Sequence, residues 1–373
     1  MKLYPTLRFL FITLIFYQCK RVVHASIHLA PKVDVTTEYH NQKVNDSYRY
    51  MENLNDTLVV KWLKDQTAFS NKIIERIKGR AHIIALEEEM EGNTDINTKY
   101  LKITPNNKCF YLKNNLSNST FSLYYRDGLT NEEIMLVNPS HLSSNKNATI
   151  NYIQPNYDGS KILINVSENG AEIGNMYIYD VTNNTLLKDV ITNCWPSALG
   201  GVSWLTNNES FIYSHIPVID SSSEEFILNT ASVLYTLGQN TKNRTVLLSK
   251  KNNPNLEIAS GDFPIVSIKN QNKKYVFGRI GGARNFDDYY YAKYFSNSIE
   301  WKSLYKKEDK VKEFIIDDND NLFFVTAQNA SNYKIGKTSL NNPNFNNFEI
   351  IIEEDPTAVI TDLAITSEEL FYV

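Results

Sequence analysis

Three cysteines, Cys19, Cys109 and Cys194, are all this chain of 373 residues contains. They are too few and too scattered for a disulfide framework or a zinc site, both of which need ligand pairs close in sequence. Cys109 and Cys194 are therefore read as small buried apolar residues beside strands. Basic excess is missing too, since the formal net charge is −4 with both signs dispersed. Neutralising a phosphate backbone takes a basic stripe, so nucleic acid is excluded as a partner. Histidines occur at positions 24, 28, 40, 82, 141 and 215, and the last part of the chain has none. A hydrolase that places Ser, Asp and His in that order needs its base late in the chain. The Gly-x-Ser-x-Gly elbow is absent as well. Gly201-Val202-Ser203-Trp204-Leu205 comes nearest and lacks the second glycine, so Ser203 reads as a strand residue. No His-Glu-x-x-His, helical histidine pair or phosphate-binding glycine loop occurs, and no metal or nucleotide cofactor is expected. The acidic run Glu87-Glu88-Glu89 with Glu91 is read as a solvated helix face, because adjacent helical side chains diverge.

Long apolar runs are equally scarce. The one near the start, Phe9 to Phe16 behind Lys2 and Arg8, has the length of a signal-peptide core and is too short to span a bilayer. Export is expected, to a periplasmic, membrane-anchored or secreted destination. Two processing routes stay open: cleavage after Ala25, or lipid attachment at Cys19, which Lys20 and Arg21 follow.

What the chain has in abundance is aromatic residues, with 23 Tyr and 18 Phe, and a recurring phrase. A polar turn leads into a burst of aromatic and β-branched residues, at a spacing of roughly 46 to 52 residues with one longer interval. The copies are Asn106-Asn107-Lys108 before Cys109-Phe110-Tyr111 and Asp158-Gly159-Ser160-Lys161 before Ile162-Leu163-Ile164. Next come Asn207-Asn208-Glu209-Ser210 before Phe211-Ile212-Tyr213 and Asn272-Lys273-Lys274 before Tyr275-Val276-Phe277. The last two are Asp318-Asn319-Asp320-Asn321 before Leu322-Phe323-Phe324, and Ser367-Glu368-Glu369 before Leu370-Phe371-Tyr372. Short strands at this period, about four to a repeat, predict a β-propeller over 92–373. The longer interval holds Pro217 to Thr230, which reads as an insertion in one blade.

Ahead of the repeats, 26–91 reads as a helical segment. Asn55-Asp56-Thr57 offers an N-cap, and Val59, Leu63, Phe69, Ile73 and Ile77 form a stripe beside Trp62, giving a helix over Thr57 to Lys78 that closes near Gly79. Asn-x-Ser/Thr triplets start at Asn115, Asn118, Asn147, Asn165 and Asn208. They are glycan acceptors in an exported eukaryotic protein, or chance products of an asparagine-rich chain. The segment Arg279-Ile280-Gly281-Gly282-Ala283-Arg284-Asn285 is the best local binding-loop candidate, with two glycines permitting tight backbone and arginines able to meet a carboxylate or peptide carbonyl. The alternative is a strand-to-strand turn with exposed arginines.

Several stretches resemble the prolyl oligopeptidase family of serine peptidases. Tyr39 to Asn53, followed by the Trp62 helix, is similar to the family's N-terminal signature, with Ser47 where a proline is common and Tyr50 where a tryptophan is usual. Asn169-Gly170-Ala171-Glu172-Ile173, Met176 to Val181, Trp195-Pro196-Ser197, Val202 to Leu205, Ile216 to Asp220 and Arg279 to Tyr291 extend the resemblance from about Ala30 onward. It implies an α/β-hydrolase domain carrying the triad, capped by a seven-bladed propeller that filters peptides by size through its tunnel. Against that pattern the chain is mainly β, with about six blades begun and the hydrolase domain absent. The helical segment would pack on that missing domain. The resemblance also implies substrate-lining roles for Arg279, Gly281, Gly282 and Ile178, and no catalytic residue in this chain. The activity it implies is cleavage of short peptides after proline, with this chain gating access and inactive alone. The other reading is a non-catalytic propeller binding peptides or a protein partner.

Overall fold

The computed structural model describes residues 29–91, 96–115, 118–143, 147–269, 274–294, 299–366 and 368–373. The apolar run, Cys19 and Ala25 lie outside the described residues. The chain divides into two compact units, 1–94 and 95–373.

In the first unit two strands precede the helices, where a helical pattern was expected from Ala30. β1 (Val35–Tyr39) and β2 (Gln42–Asp46) form an antiparallel hairpin. His40 and Asn41 turn it, both at positive φ (51° and 63°), which is the requirement of a two-residue turn matched to strand twist. Both faces of this hairpin are largely exposed, so no apolar alternation marks it in sequence. α1 (Thr57–Ile74) begins at Asp56, whose side chain accepts from the Leu58 N–H at 2.8 Å. It ends four residues short of the expected Lys78. Gly79, at φ +89°, stands before a second helix, α2 (Arg80–Glu91).

The second unit is a series of antiparallel blades. Blade 1 holds β3 (Ile96–Ile103), β4 (Lys108–Asn115), β5 (Asn118–Asp127) and β6 (Glu133–Val137). Blade 2 holds β7 (Ala148–Pro155), β8 (Lys161–Glu168), β9 (Gly174–Asp180) and β10 (Thr185–Cys194). Blade 3 holds β11 (Ser203–Trp204), β12 (Ser210–His215), β13 (Ala231–Thr236) and β14 (Thr245–Leu248). Blade 4 holds β15 (Phe263–Ser267), β16 (Tyr275–Gly281), β17 (Asp288–Lys293) and β18 (Lys302–Tyr305). Blade 5 holds β19 (Val311–Ile316), β20 (Asn321–Thr326), β21 (Lys334–Ser339) and β22 (Glu349–Ile352). A sixth is represented by the pair β23 (Leu363–Ile365) and β24 (Leu370–Tyr372). Within each blade consecutive strands pair, and a single bridge between Cys194 and His215 links blades 2 and 3 into one eight-stranded sheet.

The recurring phrase is the hairpin between the first and second strands of a blade; Asn272, Lys273 and Ser367, which belong to two of its copies, lie outside the described residues. A side chain at the start of the turn accepts from the N–H that opens the second strand: Thr104 from Lys108 (3.1 Å), Asn156 from Lys161 (3.0 Å), Asn207 from Ser210 (3.0 Å) and Asp317 from Asn321 (2.8 Å). Positive φ follows at Asn107, Gly159, Asn208 and Asp320, where Asn, Asp and Gly are tolerated. In blades 2 to 5 the second strand lies mid-blade with a neighbouring blade on each face. Both its faces are therefore covered, and its sequence reads as an unbroken apolar run; in β8 six consecutive residues, Ile162 to Ser167, are buried.

One apolar cluster fills each seam between successive blades. Phe110, Leu112 and Ile164 sit between blades 1 and 2, and Leu163, Trp204 and Phe211 between 2 and 3. Ile212, Val276 and Ile280 lie between blades 3 and 4, Phe277, Phe314 and Phe324 between 4 and 5, and Val325, Ile335 and Ile360 at the last seam. Turn-to-turn contacts clasp neighbouring blades at one end. Asn106 donates to the Asp158 carbonyl (2.9 Å), Asn208 accepts from the Tyr157 N–H (3.0 Å), Lys161 meets Glu209 (3.2 Å) and Lys274 meets Asp320 (3.1 Å). Residues 217–230 form the connection between β12 and β13, tied down by the Asn229 N–H to the Ser260 carbonyl at 2.8 Å. Cys109 and Cys194 are buried free thiols, and burial pushes Cys194 up to about 12.

Candidate functional site

β16 carries Arg279 near its end, where it pairs with Ile265 on one side and Tyr289 on the other. Side chains alternate across a strand, so Arg279 shares a face with Phe277, toward blade 5, while Val276 and Ile280 enter the seam with blade 3. The connection from β16 to β17 then brings Arg284 and Asp287 back over the same edge. Asp287 joins both arginines: Oδ1 accepts from Arg284 Nε at 3.3 Å, and Oδ2 lies 3.8 Å from Arg279 Nη1. Arg284 also meets Asp262 Oδ1 at 3.2 Å and donates to the Ile280 carbonyl at 2.6 Å. Asp262 in turn accepts from the Ala259 N–H at 2.8 Å, which fixes the approach to β15.

The two arginines are thus unequal. Arg284 is 28% exposed and anchored by two carboxylates that are 11% and 19% exposed, whereas Arg279 is 33% exposed and holds one carboxylate at longer range. Neither matches the fully exposed arginines of a simple turn. Arg279 is the one with guanidinium capacity left for a further acceptor.

Gly281 and Gly282 also differ from expectation, because neither adopts positive φ. Space is what they provide. A Cβ on Gly282 would stand 3.1 Å from Asp262 Oδ1, and one on Gly281 would stand 3.4 Å from Arg279 Nε. Ile178 has no exposed surface; it packs with Leu163, Met176 and Phe211 in the seam between blades 2 and 3 and cannot touch a ligand there.

Behind Arg279, the seam between blades 4 and 5 holds further titratable groups that sequence reasoning did not single out. Tyr289 packs edge-on to Phe314 (5.3 Å between ring centres), and Lys269 lies 5.2 Å above the same ring. Burial raises the Tyr289 and Tyr305 phenols and the Glu313 carboxyl, and lowers the Lys269 ammonium, which Arg279 disfavours further. Asp287 is raised as well: burial outweighs the two arginines beside it. The Tyr305 hydroxyl and Glu313 Oε1 are buried without a hydrogen-bond partner. No signal in the local sequence separates these residues from ordinary strand positions, because their grouping depends on how two blades face each other. Among the described residues no group of three His, Cys, Asp or Glu side chains could hold a metal ion.

A further opening of about 270 Å³ lies where the first strands of four blades converge at the end carrying the repeated turns. Thr104, Pro105, Gln154, Tyr157, Ser203 and Ile268 line it, and no lining residue is charged. Trp204 closes one side, its indole N–H donating to the Gln154 carbonyl at 3.0 Å.

Successive antiparallel blades, five of them four-stranded and four of those opening on the same side-chain-capped hairpin, define this as a propeller-type protein. The chain belongs to the prolyl oligopeptidase family: residues 29–373 match its N-terminal β-propeller domain. Among curated proteins it is similar to the prolyl endopeptidases of Elizabethkingia miricola (21% identity over 329 residues) and Elizabethkingia meningoseptica (22% over 329 residues). In each case 87% of this chain is aligned to 44% of the relative, so the chain spans less than half the length of the curated relatives it matches. Among solved structures, one from a study of two prolyl endopeptidases superimposes with a TM-score of 0.73 at 20% identity, over 93% of this chain and 49% of that one. Prolyl oligopeptidase B from Galerina marginata, solved with a 35-residue substrate, gives a TM-score of 0.69 at 14% identity over 92% of this chain and 50% of its own.

Proposed function

We propose that this chain supplies the propeller part of a prolyl oligopeptidase-type serine peptidase and governs which peptides reach a hydrolase domain that carries the nucleophile. The observation that supports this most directly is the family match running through every blade, in a sequence that has no Gly-x-Ser-x-Gly elbow. Without a nucleophile and its base there is no acyl-enzyme route, so the chain alone does not hydrolyse peptides. Arg279, with Gly281 and Gly282 keeping space beside it, is the residue proposed to meet a substrate carbonyl or carboxylate. The uncharged opening at the other end suits the passage of short peptides, since charged side chains would lose water there without a partner.

Two further parts of the reading concern placement. Residues 26–91 are proposed to pack against the hydrolase domain through the apolar stripe of α1, which leaves Leu58, Leu63, Ile73 and Ile74 exposed. Export is proposed on the apolar run behind Lys2 and Arg8, with cleavage after Ala25 and lipid attachment at Cys19 as the two processing routes.

The test is direct. The purified chain, incubated with a proline-containing reporter peptide, is expected to bind it without releasing product. Hydrolysis that a serine-directed inhibitor abolishes would overturn the reading.

A further inference from the structure

The fold separates several of the Asn-x-Ser/Thr triplets by what the asparagine side chain is already doing. Asn165 has no exposed surface and its amide donates to the Asn175 carbonyl, so a glycan there is incompatible with the closed seam. Asn208 is committed to the clasp between blades 2 and 3 through its bond from the Tyr157 N–H. Asn329, in the connection between β20 and β21, is exposed, but its Ser331 hydroxyl donates to Glu354 at 3.2 Å and Ala330 between them is buried.

Asn243-Arg244-Thr245 is different on each count. It closes the hairpin between β13 and β14, on the pair of strands farthest from the first strand of blade 3. Asn243 and Thr245 are both exposed, and neither side chain has a hydrogen-bond partner among the described residues. The middle residue is held in place, with Arg244 Nη1 donating to the Tyr213 hydroxyl at 3.3 Å. An exposed turn with a free amide and a free hydroxyl two residues on can carry a glycan without breaking a side-chain bond that holds the fold.

We propose that Asn243 is an N-glycosylation site, an inference that rests on the export proposed above. The donor class is an oligosaccharide carried on a lipid diphosphate. The bond between Asn243 Nδ2 and sugar C1 forms, the bond from C1 to the diphosphate oxygen breaks, the lipid diphosphate leaves, and the amide proton passes to base. A glycan on this outer hairpin leaves the Arg279 edge in blade 4 and the blade seams untouched.

The test is translation of the full chain in the presence of eukaryotic microsomes, once with its own N-terminus and once with a cleavable foreign leader placed ahead of it. Occupancy is read by endoglycosidase shift on the protease-protected fraction. With the foreign leader, the expected result is a glycan shift that is reduced by one step in Asn243→Gln and equally in Thr245→Val, with the Asn165→Gln pattern unchanged from wild type. A protease-protected chain whose shift is the same in wild type and Asn243→Gln overturns the proposal. Protection with the foreign leader but not with the chain's own N-terminus overturns the export reading alone and leaves the acceptor assignment standing.

Discussion

Replacing Arg284 by Met separates the structural arginine from the one proposed to face a ligand. The substitution removes two carboxylate contacts at 3.2 and 3.3 Å and one carbonyl contact at 2.6 Å, while keeping most of the side-chain volume. Breaking a fully buried ion pair from one side costs about 3–5 kcal/mol. Here the arginine is about a quarter exposed, and Arg279 still partly compensates Asp287, so the expected loss is about 2 kcal/mol after solvent screening is allowed for. The same change at Arg279 removes one carboxylate contact at 3.8 Å and the interaction with the Tyr289 hydroxyl, from a side chain one-third exposed, and about 1 kcal/mol or less is expected. Urea unfolding followed by tryptophan fluorescence should therefore show a clear fall in midpoint for Arg284→Met and little change for Arg279→Met, with similar slopes. Binding of a proline-containing peptide should show the reverse order, failing in Arg279→Met. Equal destabilisation by the two variants would refute the division of roles, since Arg279 would then be as much a part of the scaffold as Arg284.

Three other outcomes test the packing and its pH dependence. Gly336→Ala places a Cβ 2.5 Å from the Phe348 ring and 2.6 Å from Phe324 in the blade 5 sheet, and should cost about 1–3 kcal/mol by overpacking, read as a lowered thermal midpoint. His215 is lowered to about 4, chiefly by burial and then by Arg244, and its Nδ1 is buried without a partner. Its folded form resists protonation, so stability falls as pH drops from the unfolded value of about 6.5 toward 4 and levels off below; screening leaves about 1–2 kcal/mol of this, and His215→Gln should flatten the profile in that window. Lys161→Ala removes an exposed clasp to Glu209 and should shift the unfolding midpoint by less than about 1 kcal/mol, whereas Trp204→Ala, which empties the seam between blades 2 and 3, should cost about 3–5 kcal/mol in the same assay.

What could be read from sequence follows from how many faces of an element are covered. The second strands were legible because both faces are buried and the preceding turn needs Asn, Asp or Gly at positive φ; β8 and β12 announce themselves on both grounds. The hairpin β1–β2 was not, since its exposed faces impose no alternation and its turn, His40-Asn41, lacks the glycine that usually marks such turns. The end of α1 was misplaced for a related reason: Ile77 continues the apolar spacing, but the helix stops at Ile74 and Gly79 instead precedes α2.

The candidate site divides along the same line. Arg279, Gly281 and Gly282 were visible as a local cluster of unusual residues, and the family resemblance was carried by ordered motifs along the chain. Asp262, Asp287 and Glu313 were not visible, because a carboxylate beside a strand looks the same whether it meets solvent or an arginine. Ile178 looked like a lining position and proved to be core, since only the stacking of blade 2 on blade 3 decides which face of β9 is covered. The sequence by itself thus determined the repeat, the turns and the apolar strand centres, which depend on neighbours close in the chain. Tertiary structure alone decided which arginine is held by two carboxylates and which by one at longer range, because that depends on burial and on charges brought together from the approach to β15, from β16 and from the connection to β17.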